Sequence, residues 1–218
     1  MKKETAAMQA VAEFYFSEAP ELKGLGGAEV SEVVKRLGIL RYGYEARVRS
    51  SLEHACGFFK SKWPEEKWLA IGKKFCYQQA FREEQLGLLP LSFFDFLKDM
   101  DLSAGEREAL LKDRAVFESR QNPFQESLNH DDLQLLRENS ELRLQATVFW
   151  VAREQGGWVV SRNRERFFEI EVSLSILQML EKLKYKSFSI EEWMASATEE
   201  RLLADFLTLA VSYHWLQK

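Results

Sequence analysis

The chain has little of the chemistry that most often marks an enzyme. Its 218 residues include two cysteines, three histidines and four prolines. His54, His130 and His214 have no second His, Cys or carboxylate at metal-ligand spacing, and His54 and Cys56, two apart on a helix, would point in different directions. No glycine-rich phosphate loop, H-E-x-x-H or C-x-x-C motif is present. A catalytic group would have to assemble from dispersed residues, so the motifs favour a non-catalytic chain with no cofactor. Cys56 and Cys76 fall on separate expected helices and read as buried free thiols. No apolar run approaches the roughly 20 residues that span a bilayer. The opening MKKETAAMQAVAEF is an amphipathic pattern without a signal-peptide apolar region, so the expected location is the cytoplasm. The formal net charge of −4 argues against a general nucleic-acid binder, because phosphate neutralisation needs a basic surface.

What the chain does have is patterned apolar sequence, 46% hydrophobic and 13% aromatic, enough for packed cores. In the first half, residues 3 to 16 read as a helix ending near Pro20, with Gly24, Gly26 and Gly27 as a joint. A long helix is expected over 42 to 62. Pro64 then opens a helix with Trp68, Ile71, Phe75 and Phe81 on its apolar face. A break over 88 to 92 precedes a short helix that Ser92 can cap, carrying Phe93, Phe96 and Leu97. Ser103 and Glu106 form a capping box for a helix reaching residue 119. Phe14, Phe16, Phe58, Phe59, Trp63 and Phe94 are mostly core, with some free to anchor a partner. Asn122-Pro123 is a stop signal. It divides an all-helical domain, 1–125, from a second domain, 126–218, with a short helix near 131 to 137 in the connection.

The second half changes period. Leu142, Leu144, Ala146, Val148 and Trp150 alternate with Arg143, Gln145 and Thr147, which reads as one strand. Gly156-Gly157 is expected to turn the chain into Trp158-Val159-Val160. Asn163 turns it again into a third strand, where Phe168, Ile170 and Val172 alternate with Glu169 and Glu171. Three helices follow. Ser173 can cap the first, Ser189 and Glu192 box the second with Phe188 and Trp193 as a hydrophobic staple, and Thr198 with Glu199 and Glu200 can open the third. The third helix has a buried stripe of Leu203, Phe206, Leu207, Ala210 and Tyr213, which Leu202 and Leu209 extend sideways towards a groove. The fold class is therefore mainly α with a small α+β part: a helical bundle, then a winged-helix-like domain of three antiparallel strands followed by three helices.

Such domains bind nucleic acid along a helix or a peptide along a sheet edge. In a DNA-binding reading, Arg153, Arg162, Arg164 and Arg166 near the strand turns would meet phosphates, and the third helix would enter the groove. Glu199 and Glu200 at its entrance oppose that. The arginines, and Lys182, Lys184 and Lys186, also fit a solvated face or an anionic protein partner. In a peptide-binding reading the last strand takes an added strand over 167 to 172. Its contacts are Phe167, Glu169, Ile170 and Glu171, with side chains entering a groove of Leu202, Phe206 and Leu209. The same charges equally suit an edge merely protected from aggregation.

Two segments carry a family resemblance. The run EVSLSILQMLEKLKYKSFSIEEWMASATEERLLADFLTLAVSYHWL resembles the peptide-recognition domains of ribosomal-peptide modification pathways, of which the pyrroloquinoline-quinone peptide chaperone is the simplest. The stretch YEARVRSSLEHACGFFKSKWPEEKWLAIGKKFCYQQAFREEQLGLLPLSFFDFLKDM resembles the helical region of the bacterial HvfC/BufC-type family, labelled a DNA-binding domain and related to the methanobactin-pathway partner subunit. The matching positions are Tyr44, Val48, Arg49 and Leu52, then Glu65-Glu66, then the aromatic step from Phe93 to Leu97. At 45 to 47 the chain departs from the Arg and Asn that follow the tyrosine in the family. The resemblance implies a non-catalytic subunit in a heterodimer with a barrel-fold multinuclear non-heme iron enzyme, to which the iron belongs. It also implies binding of a ribosomally made precursor by its leader segment, and it singles out Tyr44 and Arg49 as partner contacts beside Arg162 and Arg164. A DNA-binding regulator of winged-helix type is the alternative.

Overall fold

The computed structural model describes residues 28–78, 86–136, 140–196 and 200–217. The expected first helix over 3 to 16, the joint at Gly24, Gly26 and Gly27, and Phe14, Phe16, Phe81, Thr198 and Glu199 lie outside them. The described chain is mainly helical with a small antiparallel strand component. It divides into two compact units, residues 1–110 and 111–218, so the division falls inside a helix and ahead of the one expected at 125 and 126.

In the first unit, α1 (Ala28–Ala55) packs against α3 (Glu65–Gln78) and α4 (Leu89–Lys98). The helix expected over 42 to 62 starts earlier and breaks at Cys56. There the backbone leaves the helical region, Gly57 follows, and α2 (Gly57–Lys60) turns Phe59 fully into the core. Helix α4 does not start at Ser92. Leu88 precedes its first turn and Pro90 sits within it, where a missing N–H costs nothing. Trp68 and Phe75 meet Phe93 edge-on at 5.6 and 5.0 Å, which ties α3 to α4. Of the candidate anchor aromatics, Phe59, Trp63 and Phe94 are buried and Phe58 is exposed. Helix α5 (Ala104–Gln121) opens on the expected box: Ser103 N–H donates to Glu106 Oε2 at 2.8 Å, and Glu106 N–H to Ser103 Oγ at 3.3 Å.

The second unit holds the rest of α5, then α6 (His130–Leu135), β1 (Glu141–Leu144), β2 (Phe149–Arg153), β3 (Gly156–Arg162), β4 (Phe167–Ser173), α7 (Leu174–Tyr185), β5 (Phe188–Ser189), α8 (Ile190–Ser196), α9 (Glu200–Ser212) and β6 (Leu216–Gln217). Strands β2, β3 and β4 form one antiparallel sheet in that order, and β1 lies between β5 and β6 in another. The single strand expected over 142 to 150 is thus two strands in two sheets. Between them Val148 N–H turns back to the Gln145 carbonyl at 3.1 Å. Gln145 and Thr147, expected outside, are buried. Gln145 exchanges two bonds with the Gln125 backbone, and Ser119 Oγ donates to the Thr147 carbonyl.

Those bonds also change the reading of the connection. Asn122-Pro123 does stop α5, but the segment after it is pinned. Gln125 pairs with Gln145, Ser127 bridges Gln217, and Leu128 N–H donates to the Leu216 carbonyl at 3.0 Å. The central sheet is covered on both faces. Ala115 and Val116 of α5 pack with Phe149, Val151 and Val160, while Val159 and Val172 join the main core with Leu177, Leu180, Leu203 and Phe206. The caps expected at Ser173 and at Ser189 with Glu192 are present, and Phe188 meets Trp193 at 5.7 Å.

Candidate functional site

Among the described residues β4 pairs only with β3, so its other side is a sheet edge. The ladder fixes which groups face outward. Asn163 N–H donates to the Arg166 carbonyl at 3.1 Å, which makes 163 and 166 a hydrogen-bonded pair. Antiparallel pairs alternate in kind. With Arg162 opposite Phe167 and Ser161 opposite Phe168, residues 168, 170 and 172 turn their N–H and C=O to β3. The Val172 carbonyl closing on Gly156 agrees with this. Phe167, Glu169 and Glu171 therefore turn theirs to the free edge. Their side chains point to the α5 face, where Lys112 Nζ meets Glu169 at 2.7 Å, Arg153 meets Glu171 at 2.8 Å and the Arg120 guanidinium lies over the Phe167 ring.

Ile170, on the opposite face of β4, and Leu202, Leu209 and Tyr213 of the α9 segment are half-buried against one core. Tyr213, at the end of α9, meets the Phe168 ring at 5.9 Å. That end is a Schellman turn, with Trp215 N–H donating to the Ala210 carbonyl at 2.7 Å and His214 at φ 58° where glycine is usual. Contacts of the His214 ring offset the strain. Nδ1 lies 2.7 Å from Ser127 Oγ, Nε2 lies 3.4 Å from Asn163 Nδ2, and the ring tilts on Phe168 at 5.4 Å. Burial, and after it the charge of Arg166, lower the His214 pKa.

The expected peptide contacts divide accordingly. Phe167, Glu169, Ile170 and Glu171 lie on the edge strand, and Leu202 and Leu209 present half-buried apolar surface. Phe206, expected both in the buried stripe and in the groove, belongs to the core: it is fully buried, stacked on Trp193 at 5.7 Å and tilted on Trp215 at 6.1 Å. Arg162 is largely committed to structure as well, donating to the Asn122 carbonyl at 2.6 Å. Arg164 is exposed. In the first unit Tyr44 is half-buried, and Arg49 lines a cavity of 240 Å³ with Glu45, Trp68 and Cys76. Burial, and after it the carboxylate of Glu45, push the Cys76 thiol up to about 12, so it stays protonated at neutral pH. Cys56 and Cys76 are both free and buried. Among the described residues no cluster of His, Cys, Asp and Glu could hold a metal, and no helix is long and apolar enough to cross a membrane.

Sequence reasoning missed the larger cavity, 690 Å³ along the other sheet edge, β2. Leu111, Ala115 and Arg114 of α5 line it together with Phe149 and Trp150 of β2 and Lys184 of α7. No local signal reveals it, since its lining comes from α5, β1 and the connection after it, β2 and α7, which are far apart in sequence. No protein-family model matches the chain, and no curated protein matches it.

Proposed function

We propose that this chain is a non-catalytic adaptor that holds the leader of a ribosomally made precursor peptide as an added strand on β4 and presents it to a barrel-fold multinuclear iron enzyme. One observation carries the peptide half of this reading: the outward N–H and C=O groups of Phe167, Glu169 and Glu171 on an edge strand whose Ile170 packs against the same core as Leu202 and Leu209. Main-chain pairing supplies affinity in such additions, and side-chain pockets supply selectivity. The enzyme half is supported by the resemblance of the two quoted segments. In this reading the second unit, residues 111–218, holds a winged-helix-like recognition domain, supported by the order β2-β3-β4 then α7, α8 and α9. The first unit, residues 1–110, docks the enzyme, with Tyr44 and Arg49 among the contacts, in a cytoplasmic heterodimer whose iron is the partner's. The DNA-binding alternative has less support, because Arg162 is engaged by Asn122, Arg153 by Glu171, and Arg166 lies over Phe168.

The test is co-purification with an iron enzyme encoded beside this chain, and titration of the short Cys-containing precursor encoded there. Glu169→Pro removes an outward N–H at an edge position that tolerates proline. It should weaken leader binding about tenfold, a loss expected for one or two hydrogen bonds. Glu169→Ala, which keeps the N–H, should bind like the parent, and Leu202→Asp should weaken binding by charging the apolar face. Parent-like affinity in folded Glu169→Pro and Leu202→Asp would place the leader elsewhere. Sub-micromolar, salt-sensitive binding of a DNA duplex that Arg164→Ala abolishes would favour the regulator instead.

A further inference from the structure

We infer that the slot along β2 is a second peptide-binding edge, taking a short extended segment with an acidic side chain opposite Lys184. Strand β2 pairs only with β3 among the described residues. Its hairpin to β3 leaves Glu154 and Gln155 as the two-residue loop, so Arg153 and Gly156 form the closing hydrogen-bonded pair. Alternation from there turns the N–H and C=O of Trp150 and Ala152 away from β3 and into the slot. The register of β3 against β4 gives the same phase independently, since residues 157, 159 and 161 face β4 and residues 156, 158 and 160 are left for β2.

The slot is also walled in a way an exposed edge is not. Helix α5 covers the face bearing Phe149 and Val151, α7 lies on the face bearing Trp150, the β2 edge forms the floor between them, and Leu144, Ala146 and Val148 before β2 also line the slot. Its 690 Å³ is within the range of sites that enclose small ligands. A segment of about four or five residues, as long as β2 itself and rising about 3.3 Å per residue, matches the exposed donors and acceptors. Charge selects its side chains. Arg114 meets Glu118 at 2.8 Å, and Glu181 accepts from the Trp150 indole at 3.1 Å. Lys184 lies over the rings of Trp150 and Tyr185 and has no carboxylate partner among the described residues. An acidic side chain on the α7 side of an added strand meets that ammonium, while alternate apolar side chains face Leu111 and Ala115 of α5.

This site does not rest on the adaptor reading, and the two edges are told apart by which amides respond. The probes are an end-blocked hexapeptide alternating valine with glutamate and the same peptide with lysine for glutamate, added to the isotope-labelled full chain. The glutamate peptide should shift the amide signals of Trp150 and Ala152 and the Trp150 indole, and bind roughly fivefold tighter than the lysine peptide, as one surface charge pair allows. Lys184→Glu should reverse that order. Ala152→Pro removes an outward N–H on an exposed edge and should abolish binding; should that variant not fold, the charge reversal at exposed Lys184 decides the matter alone. Shifts confined to Glu169 and Glu171, equal affinity for the two peptides, or no response at millimolar peptide would each overturn the inference.

Discussion

Replacing Gly157 with alanine should damage the second unit far more than the same change costs at a helical glycine such as Gly43. The Gly156-Gly157 pair reads in the sequence as a turn. In the structure the turn is Glu154-Gln155, and both glycines lie in β3. Gly156 has φ 151° with the Val172 carbonyl against it. Gly157 is needed for close approach: a β-carbon there would enter the shell of the Val151 carbonyl oxygen, 2.8 Å from Leu177 Cδ1 and 3.1 Å from Ala152 Cα. That oxygen belongs to the β2-β3 ladder, so it cannot retreat without loosening the bonds beside it. Overpacking costs about 1–3 kcal/mol, and one or two weakened ladder bonds add about 1 kcal/mol each. The expected total is about 2–5 kcal/mol. Gly43, inside α1 with nothing near an added β-carbon, is the control. Gly43→Ala should stabilise by about 0.5–1 kcal/mol through helix propensity and a less free unfolded chain. Urea unfolding followed by circular dichroism and tryptophan fluorescence measures both. Were Gly157→Ala to fall within about 0.5 kcal/mol of the parent, β2 and β3 could not approach as closely as described.

Three further outcomes are expected. Glu106 accepts from Ser103, Trp63 and Lys67, and the Ser103 bonds, followed by that of Trp63, lower its pKa to about 2 from 4.5. A depressed acid stabilises the fold above its unfolded pKa, so Glu106→Gln should cost about 1–2 kcal/mol at pH 7 after solvent screening, and the gap to the parent should close as pH falls from 4.5 towards 2; a gap constant down to pH 3 would contradict this. Burial, and after it the charge of Arg166, lower the His214 pKa, so the unfolded chain takes up the proton first and stability should fall as pH drops below about 6.5; His214→Gln should flatten that slope, and an unchanged slope would assign it to other groups. Limited proteolysis should leave 122–128 uncut in the native protein, because that segment is bonded to Gln145, Leu216 and Gln217; early cleavage there, read by mass spectrometry, would mean those bonds open readily.

What the sequence made legible was mostly local. The boxes at Ser103 with Glu106 and at Ser189 with Glu192, and the cap at Ser173, were readable because donor and acceptor stand three residues apart. The alternation over 167 to 172 identified the edge strand because one face carries charges and the other apolar groups. By contrast, the alternation over 142 to 150 ran through a break. Gln145 and Thr147 look like surface residues until Gln125 and Ser119, far off in sequence, satisfy their segment. Ser92 was a plausible cap, yet apolar Leu88 precedes the first turn because burial of Leu89 and Phe93 sets where α4 begins. Helical spacing put Phe206 beside Leu202 and Leu209, but it could not tell that two tryptophans close over Phe206. The slot along β2 depends on α5 reaching across the sheet, which no window of sequence contains.

The place of β1 between β5 and β6 has a consequence for the order in which this unit is made. Residues 143 and 144 pair with 217 and 216, and Ser127 and Leu128 also wait for that last strand. Until residue 217 leaves the ribosome, the Leu142 segment lacks one neighbour and the site later filled by Trp215 stands open. The nascent unit therefore spends the synthesis of more than half its length with apolar surface and an unpaired strand exposed, a period in which a chaperone or the wrong chain can engage it. Long-range closure of this kind is slow as well as late.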